Sequence, residues 1–260
     1  MSFAKKFVVL TILVALFFGW HAIRSINNPS RPQDTLIVGL QSEYPPFEFI
    51  DETGRIIGFD VDIAQVIAEK LKKKLLIKNM EFESEILSLQ QGKIDLIISG
   101  MTITPSRLQE ISMIPYYKGS SASLTLIFWN QIPEGIHSLE ELSQRPHSIV
   151  SVETGTFPEV YIQRYPSIEA RSFQGSLSPF IDVKYGKSIA NLTQPDVAAY
   201  FQKKYPEVKK IEIPLVDPED FLGFGIGVKK ENRSLFQEVQ QIIQELNDSG
   251  ELKKLEDKWF

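Results

Sequence analysis

Short apolar runs alternate with helical patterns along the first part of the chain. Residues 36–40 form one apolar run, and residues 94–99 form a near-continuous one, as is typical of strands buried on both faces. The segment between them carries apolar residues at helical spacing, namely Phe59, Ile63, Val66, Ile67 and Leu71. A strand over 75–82 and a short helix that stops at Gly92 complete a β-α-β-α-β order. This order predicts an α/β fold with mainly parallel sheets flanked by helices.

A second unit of the same kind begins after an apolar run at residues 124–129. A strand over 148–152 and a strand-to-helix turn over 153–158 follow, and residues 223–228 form a later strand. An amphipathic helix near the end carries its apolar residues on one face, namely Leu235, Phe236, Val239, Ile242, Ile243 and Leu246. Ligands of such sheets bind beyond the carboxyl ends of the strands. Residues 41–44 and 99–107 are therefore candidates for a site.

The N-terminus has the features of an export signal. Lys5 and Lys6 precede an unbroken apolar run over residues 7–20, which predicts a secretory signal within residues 1–26. The run is shorter than the roughly 20 residues of a spanning helix, but no clean cleavage site follows, so an uncleaved membrane anchor is the alternative. Residues 27–34 form a proline-containing linker. The folded part is expected in the periplasm.

Composition excludes several functional classes. The 260 residues carry a net charge of −5, so nucleic acid is not an expected partner. The absence of cysteine excludes disulfides, thiol catalysis and cysteine metal sites. The three histidines are far apart in sequence and lack metal-ligand spacing. We therefore predict no metal and no cofactor.

Arg107 is the sharpest local candidate for a binding residue. Thr104 is suited to cap a helix whose first residue is Pro105, which places Arg107 in the first turn. A cation is disfavoured at this positive end of the helix dipole, whereas a bound anion would be held by both the arginine and the helix. The alternative is an arginine that extends into solvent or pairs with a neighbour such as Glu110.

The turn over residues 153–157 offers a complementary half-site. Gly155 permits close approach of the backbone, Thr156 is suited to cap a helix that begins at Phe157, and free amides there would accept a carboxylate. The turn is equally typical of an ordinary strand-to-helix connection. Tyr44 follows the first strand, where it is either a lid over a ligand or a surface residue.

Several motifs in register resemble the periplasmic solute-binding proteins for polar amino acids that serve ABC importers, known as solute-binding protein family 3. The motifs that carry this resemblance are Tyr44-Pro45-Pro46-Phe47-Glu48-Phe49, Gly58-Phe59-Asp60-Val61-Asp62, Gly92-Lys93-Ile94-Asp95, Gly100-Met101-Thr102-Ile103-Thr104-Pro105-Ser106-Arg107, Gly155-Thr156 and Gly225-Ile226-Gly227-Val228. The Gly186-Lys187-Ser188 stretch is similar to the chlamydial arginine-binding members. The resemblance covers nearly all of residues 35–260.

The resemblance implies a type II periplasmic-binding-protein fold with two lobes and a two-strand hinge. Residues 35–127 with 218–260 would form lobe 1, and residues 128–217 would form lobe 2, with crossing segments near 126–129 and 214–221. The implied partners are a free amino acid and an ABC-transporter permease in the inner membrane. The protein is expected to be a monomer.

The resemblance also implies roles for individual residues. Arg107 would pair with the α-carboxylate of the ligand, helped by a backbone amide near Thr156. Thr102 and the backbone of Gly100 would hold the α-amine, and Tyr44 would pack on the ligand side chain. The remaining expected contacts are with Gln41, Phe157 and Gln194.

Two departures from the family pattern bear on the ligand. Gln194 stands where the family usually has an acid that binds the α-ammonium, and Gln41 stands at a position that is often Asp or Asn. These changes remove up to two negative charges, although Glu43 or Glu153 offers a replacement away from the motif. We therefore expect a neutral polar ligand such as glutamine rather than arginine.

An enzyme on the same scaffold, such as a secreted dehydratase, is the alternative function. A dehydratase needs a positioned general acid, and Gln41 and Gln194 occupy the positions where the pocket acids usually lie. We therefore predict a binding protein without catalytic residues.

Overall fold

The computed structural model describes residues 34–119, 123–217 and 221–260. Thirteen strands lie in these ranges: β1 (Thr35–Leu40), β2 (Glu43–Tyr44), β3 (Glu48–Ile50), β4 (Ile56–Ile57), β5 (Lys74–Asn79), β6 (Leu96–Ile97), β7 (Ser112–Tyr117), β8 (Ser123–Trp129), β9 (Ile149–Glu153), β10 (Glu169–Phe173), β11 (Ala190–Thr193), β12 (Val208–Pro214) and β13 (Phe224–Val228). The helices of the same ranges are α1 (Phe59–Lys70), α2 (Phe82–Gln90), α3 (Pro105–Glu110), α4 (Leu139–Ser143), α5 (Phe157–Ile162), α6 (Leu177–Lys184), α7 (Pro195–Lys204), α8 (Arg233–Asp248) and α9 (Glu251–Trp259).

The first large sheet has the strand order β5-β1-β6-β13-β7. Strand β1 pairs with β6 in parallel, whereas β13 is antiparallel to both β6 and β7. Two glycines allow β13 to pack closely on its neighbours, because a Cβ atom at Gly225 would lie 2.7 Å from the Ile103 side chain and one at Gly227 would lie 3.0 Å from Ile111. Close strand packing thus explains these alternating glycines.

The second large sheet has the order β10-β9-β11-β8-β12. Its β9, β10 and β11 are parallel, whereas β8 is antiparallel to β11 and β12. Both large sheets are therefore mixed, each with parallel strands on one side and antiparallel strands on the other.

Residues 126–129, predicted as a crossing segment, lie inside the second sheet, because β8 pairs with β12 from Ser123 to Trp129. The chain passes between the two sheets before β8 and returns between β12 and β13. The bounds proposed for the two lobes stay a prediction.

A small antiparallel sheet, β2-β3-β4, carries the hairpin predicted at residues 47–57. Phe47 beside it is fully buried in an aromatic cluster with Phe59, Tyr117, Phe224 and Phe260. The amphipathic helix predicted near the C-terminus is α8, which buries Val239, Ile242, Ile243 and Leu246. The aromatic contacts of Phe47 join the small sheet to α1, β7 and β13.

The predicted signal or anchor, residues 1–26, lies outside the described residues, as do residues 27–33 of the linker. Within the part of the chain that is described, no helix combines the length and apolar character needed to cross a bilayer.

Candidate ligand-binding site

One cavity lies where loops from both large sheets meet, at the carboxyl ends of β1, β6, β9 and β11. It has an empty volume of about 310 Å³. The walls are formed by Gln41, Tyr44, Glu48, Phe82, Ser99, Gly100, Thr102, Arg107, Glu153, Thr156, Phe157, Pro158 and Gln194. All eight residues predicted as ligand contacts are among them. Their individual roles toward a ligand stay a prediction.

Arg107 joins the loops of the two large sheets. Its Nη1 donates to the Thr102 carbonyl at 2.7 Å, and its Nη2 donates to the Gly155 carbonyl at 2.9 Å. The guanidinium carbon also lies 5.1 Å from the centre of the Phe82 ring. Burial lowers the pKa of Arg107 to about 10, with Glu85 opposing this shift, so the group is charged at neutral pH. None of the salt bridges between described residues includes Arg107.

Hydrogen bonds, more than a helix dipole, set the orientation of Arg107. Helix α3 is only six residues long, so its dipole is small. The predicted cap is confirmed, since Thr104 Oγ1 accepts from the Arg107 amide at 3.3 Å. The guanidinium neither extends into solvent nor forms a salt bridge with Glu110, because the two backbone carbonyls hold it at the cavity wall.

The helix start at α5 differs from the prediction. Thr156 does not cap α5 with its side chain; its hydroxyl donates to the Glu153 carbonyl at 2.6 Å instead. The Gly155 amide donates to Glu159 Oε2 at 2.7 Å. One of the amides expected to receive a ligand carboxylate is therefore engaged by a carboxylate of the protein itself.

Gly100 and Tyr44 form a closely packed part of the wall. Gly100 adopts a φ of +51°, and a Cβ atom there would lie 2.7 Å from the Tyr44 ring. Tyr44 is 8% exposed and stacks on Phe47, so it is a buried wall residue and not a surface tyrosine. The Gly100 amide donates to Asp60 Oδ2 at 2.7 Å. The Gly100 amide is thus engaged by the protein, and the predicted contact with an α-amine would be made by its carbonyl.

Two buried glutamines present unsatisfied polar atoms at the cavity. Gln194 is 1% exposed, and neither its Oε1 nor its Nε2 has a hydrogen-bond partner among the described residues. Gln41 donates from Nε2 to Glu81 at 3.2 Å, but its Oε1 likewise has no partner within the described ranges. Buried polar atoms are nearly always paired. A polar ligand in the cavity would supply the missing partners.

Two acidic residues line the cavity beside these glutamines. Glu153, named above as a possible replacement acid, is 7% exposed at the end of β9. Burial, with Glu43 adding to it, raises the pKa of Glu153 to about 8. Glu48 is fully buried on β3 and was not predicted as a site residue. The sequence gives no signal for it, because period-two alternation places a lone acid between Phe47 and Phe49 on the face opposite to the two aromatic rings.

Comparison with known proteins gives one family. Residues 36–260 match the bacterial extracellular solute-binding proteins, family 3. The probable ABC transporter arginine-binding protein ArtJ of Chlamydia trachomatis is 39% identical over 226 residues, which cover 87% of this chain and 86% of that protein. ABC transporter arginine-binding protein 1 of Escherichia coli is 29% identical over 259 residues, or 98% of this chain and 99% of that protein.

A solved structure of a similar protein has the same fold as this chain. A mutant of ArgBP from T. maritima superposes with a TM-score of 0.80 at 33% identity, covering 88% of this chain and 96% of that one. The predicted fold class, a two-lobed type II periplasmic binding protein with helix-flanked sheets, is confirmed.

Proposed function

Because this chain belongs to the bacterial extracellular solute-binding proteins of family 3, we propose that its cavity captures a free amino acid with a cationic, arginine-like side chain. Its membership and its relatives make it an amino-acid-binding protein of ABC transport and not an enzyme, as predicted. The dehydratase alternative is not favoured. The identity of the amino acid and the residues that bind it are the proposal.

The α-carboxylate of the ligand pairs with Arg107. The observation that carries this assignment is a charged arginine at the cavity wall that forms no salt bridge among the described residues. Its two donors to backbone carbonyls fix the guanidinium plane and leave further N–H groups for a carboxylate. The α-ammonium then lies near the Gly100 carbonyl, the Thr102 hydroxyl and Gln194, with Tyr44 and Phe157 against the side chain.

The charges around the cavity favour a cationic side chain. Once the α-carboxylate offsets Arg107, the carboxyl group of Glu153 remains in the wall and can ionise opposite a ligand cation. Glu153 supplies the acid that Gln41 and Gln194 lack, and the relatives named above are described as arginine-binding. A ligand with a net charge of +1, such as arginine, therefore balances an ionised Glu153 better than an amino acid with no net charge does.

Glutamine is the second candidate. The unpartnered amide of Gln194 can exchange hydrogen bonds with a ligand amide, and burial favours the neutral form of Glu153. The preference for glutamine that rests on Gln41 and Gln194 therefore stays a prediction, to be decided by the titration below.

The proposal places the protein in the periplasm as a monomer. It would be exported by the N-terminal signal, or held by it as an anchor, and would deliver its ligand to an ABC permease in the inner membrane. Co-purification with a permease and the mass in solution test these two points.

The test is isothermal titration of the chain with arginine and glutamine at pH 7, preceded by a thermal-shift screen of the twenty amino acids. Arginine should bind more tightly than glutamine, and Arg107→Ala should weaken binding by at least about 30-fold. Arg55→Ala is the matched control, because Arg55 is 75% exposed and pairs with Asp51 away from the cavity. Unchanged affinity in Arg107→Ala would remove the carboxylate assignment, and tighter binding of glutamine would overturn the proposed ligand class.

A further inference from the structure

Glu48 lies in a buried group of acids behind the cavity wall. It is 0% exposed, and none of the salt bridges between described residues includes it. The titratable groups that act on it from the neighbouring elements are Asp60 of α1, Glu85 of α2, Glu153 of β9, Tyr44 of β2 and Tyr116 of β7. An ionised Glu48 would thus be a buried anion among acids, which is costly.

The hydrogen bonds of Ser99 leave Glu48 poorly solvated as an anion. Ser99 Oγ lies 2.8 Å from Glu85 Oε1 but 3.5 Å from Glu48 Oε1, and the hydroxyl has one proton to donate. The shorter contact is the one to Glu85, so Ser99 gives Glu48 at most a weak hydrogen bond. Glu48 Oε2 has no donor among the residues that the structure describes. A carboxylate at this position would keep both oxygens without a good partner.

A proton on Glu48 removes this difficulty, because Asp60 is an acceptor within hydrogen-bonding reach of it. Asp60 Oδ2 accepts from the Gly100 amide at 2.7 Å, and both Asp60 oxygens lie 2.8 Å from the Tyr116 hydroxyl. Every donor around Asp60 therefore holds it as a carboxylate. Burial first, and then Asp60, raise the pKa of Glu48 well above its usual range, whereas Asp60 has a pKa of about 6.

We propose that Glu48 is a neutral carboxylic acid at neutral pH that donates to the Asp60 carboxylate and so holds the Gly100 peptide in place at the ligand cavity. Glu48 is in this view a positioning residue, acting through Asp60, and not a charge that pairs with the ligand cation. Its effect on affinity rests on the proposed function, since Gly100 is there a contact of the ligand.

Two substitutions of Glu48 distinguish a neutral hydrogen-bond donor to Asp60 from an ionised carboxylate that contacts the ligand. Glu48→Gln keeps the shape and an N–H donor toward Asp60, so arginine affinity should stay within about threefold of the wild type. Glu48→Met has a similar size but no donor, and loss of a hydrogen bond to a charged group should weaken binding by roughly 10- to 100-fold. Glu52→Gln, an exposed acid on the turn before β4, is the control. A large loss of arginine affinity in Glu48→Gln would overturn the proposal.

Two readouts need no ligand, and the first of them does not use the Met variant. Infrared difference spectra of the ligand-free wild type against Glu48→Gln at neutral pH should contain the carbonyl band of a protonated carboxylic acid. Its absence would refute the neutral state. Amide exchange at Gly100, measured by NMR, should be equally slow in the wild type and Glu48→Gln and at least about tenfold faster in Glu48→Met. Equal exchange in all three would refute the positioning role.

The same measurements distinguish the failure of this inference from that of the proposed function. If the wild type binds no amino acid yet has the infrared band and slow exchange, the proposed function fails and the role of Glu48 stands. If the wild type binds arginine but lacks that band, the proposed function stands and the inference about Glu48 fails.

Discussion

Replacing Glu153 with Gln tests the charge of the cavity most directly. In the proposed complex the cationic end of the ligand faces Glu153, so the carboxyl must be ionised when arginine is bound. Burial raises the pKa of Glu153 to about 8 in the free protein, so the group is mostly protonated at pH 7. Binding of a cation therefore releases a proton, and arginine affinity must rise with pH.

The size of this effect follows from the pKa. With a pKa of about 8, the ionised fraction of Glu153 increases from about 1% at pH 6 to about 50% at pH 8. Arginine affinity should accordingly rise by about 50-fold over this interval, whereas glutamine affinity should change little. Isothermal titration at pH 6, 7 and 8 measures both. In Glu153→Gln the pH dependence for arginine should disappear, and Glu231→Gln, an exposed acid, should behave as wild type.

The same carboxyl has an effect on stability with a defined sign. The folded chain holds a proton on Glu153 between the ordinary pKa of 4.5 and about 8, and the unfolded chain releases it. The contribution of this group to the free energy of unfolding therefore falls as pH rises through that interval, and Glu153→Gln should flatten the fall. Arginine affinity that is independent of pH, or an equal loss for both ligands in Glu153→Gln, would refute the placement of the cation at Glu153.

The other predictions concern closure, backbone and core. Ser176→Ala removes the hydroxyl that donates to the Glu43 carbonyl at 2.5 Å and joins the start of α6 to β2, so stopped-flow should find faster ligand release and roughly 3- to 10-fold weaker binding. Unchanged release rates would contradict this bridge. Gly100→Ala forces a side chain into a φ of +51° and against Tyr44, so urea unfolding should report a loss of more than about 1 kcal/mol together with weaker binding. Phe180→Ala empties a fully buried position and should lower the free energy of unfolding by about 3–5 kcal/mol with little change in affinity, and a large change in affinity would contradict its purely structural role.

The position of the site could be predicted because it depends on local order along the chain. Loops that follow buried parallel strands lie at one edge of a sheet, and this rule alone directed attention to Gln41, Tyr44 and Gly100. The cap at Thr104 is also local, since it involves residues three apart. Such features are determined by neighbours in sequence and can be read from it.

Features that depend on contacts between distant segments were harder to predict. The apolar run at residues 94–99 contributes only Leu96–Ile97 to the sheet, and Ser99 at its end lines the cavity. The crossing segment is predicted near residues 126–129, but these residues pair with β12 and lie in β8, the strand next to the edge strand β12. Thr156 is predicted to cap α5, yet its hydroxyl donates to the Glu153 carbonyl, and Glu159 accepts from the Gly155 amide.

A local sequence motif predicts ligand selectivity poorly. The net charge of a cavity depends on side chains from segments that are distant in sequence. Gln41 and Gln194 argue for a neutral ligand only as long as they are counted alone. Glu48 and Glu153 come from β3 and β9, far from both glutamines in sequence, and enter the same cavity. The number of acidic residues alone does not give the charge of the cavity. Burial keeps Glu153 mostly protonated at pH 7 in the absence of a bound cation. In the proposed complex the ligand therefore helps to set the charge that selects it, and this proposal depends on the burial of Glu153 as well as on its position.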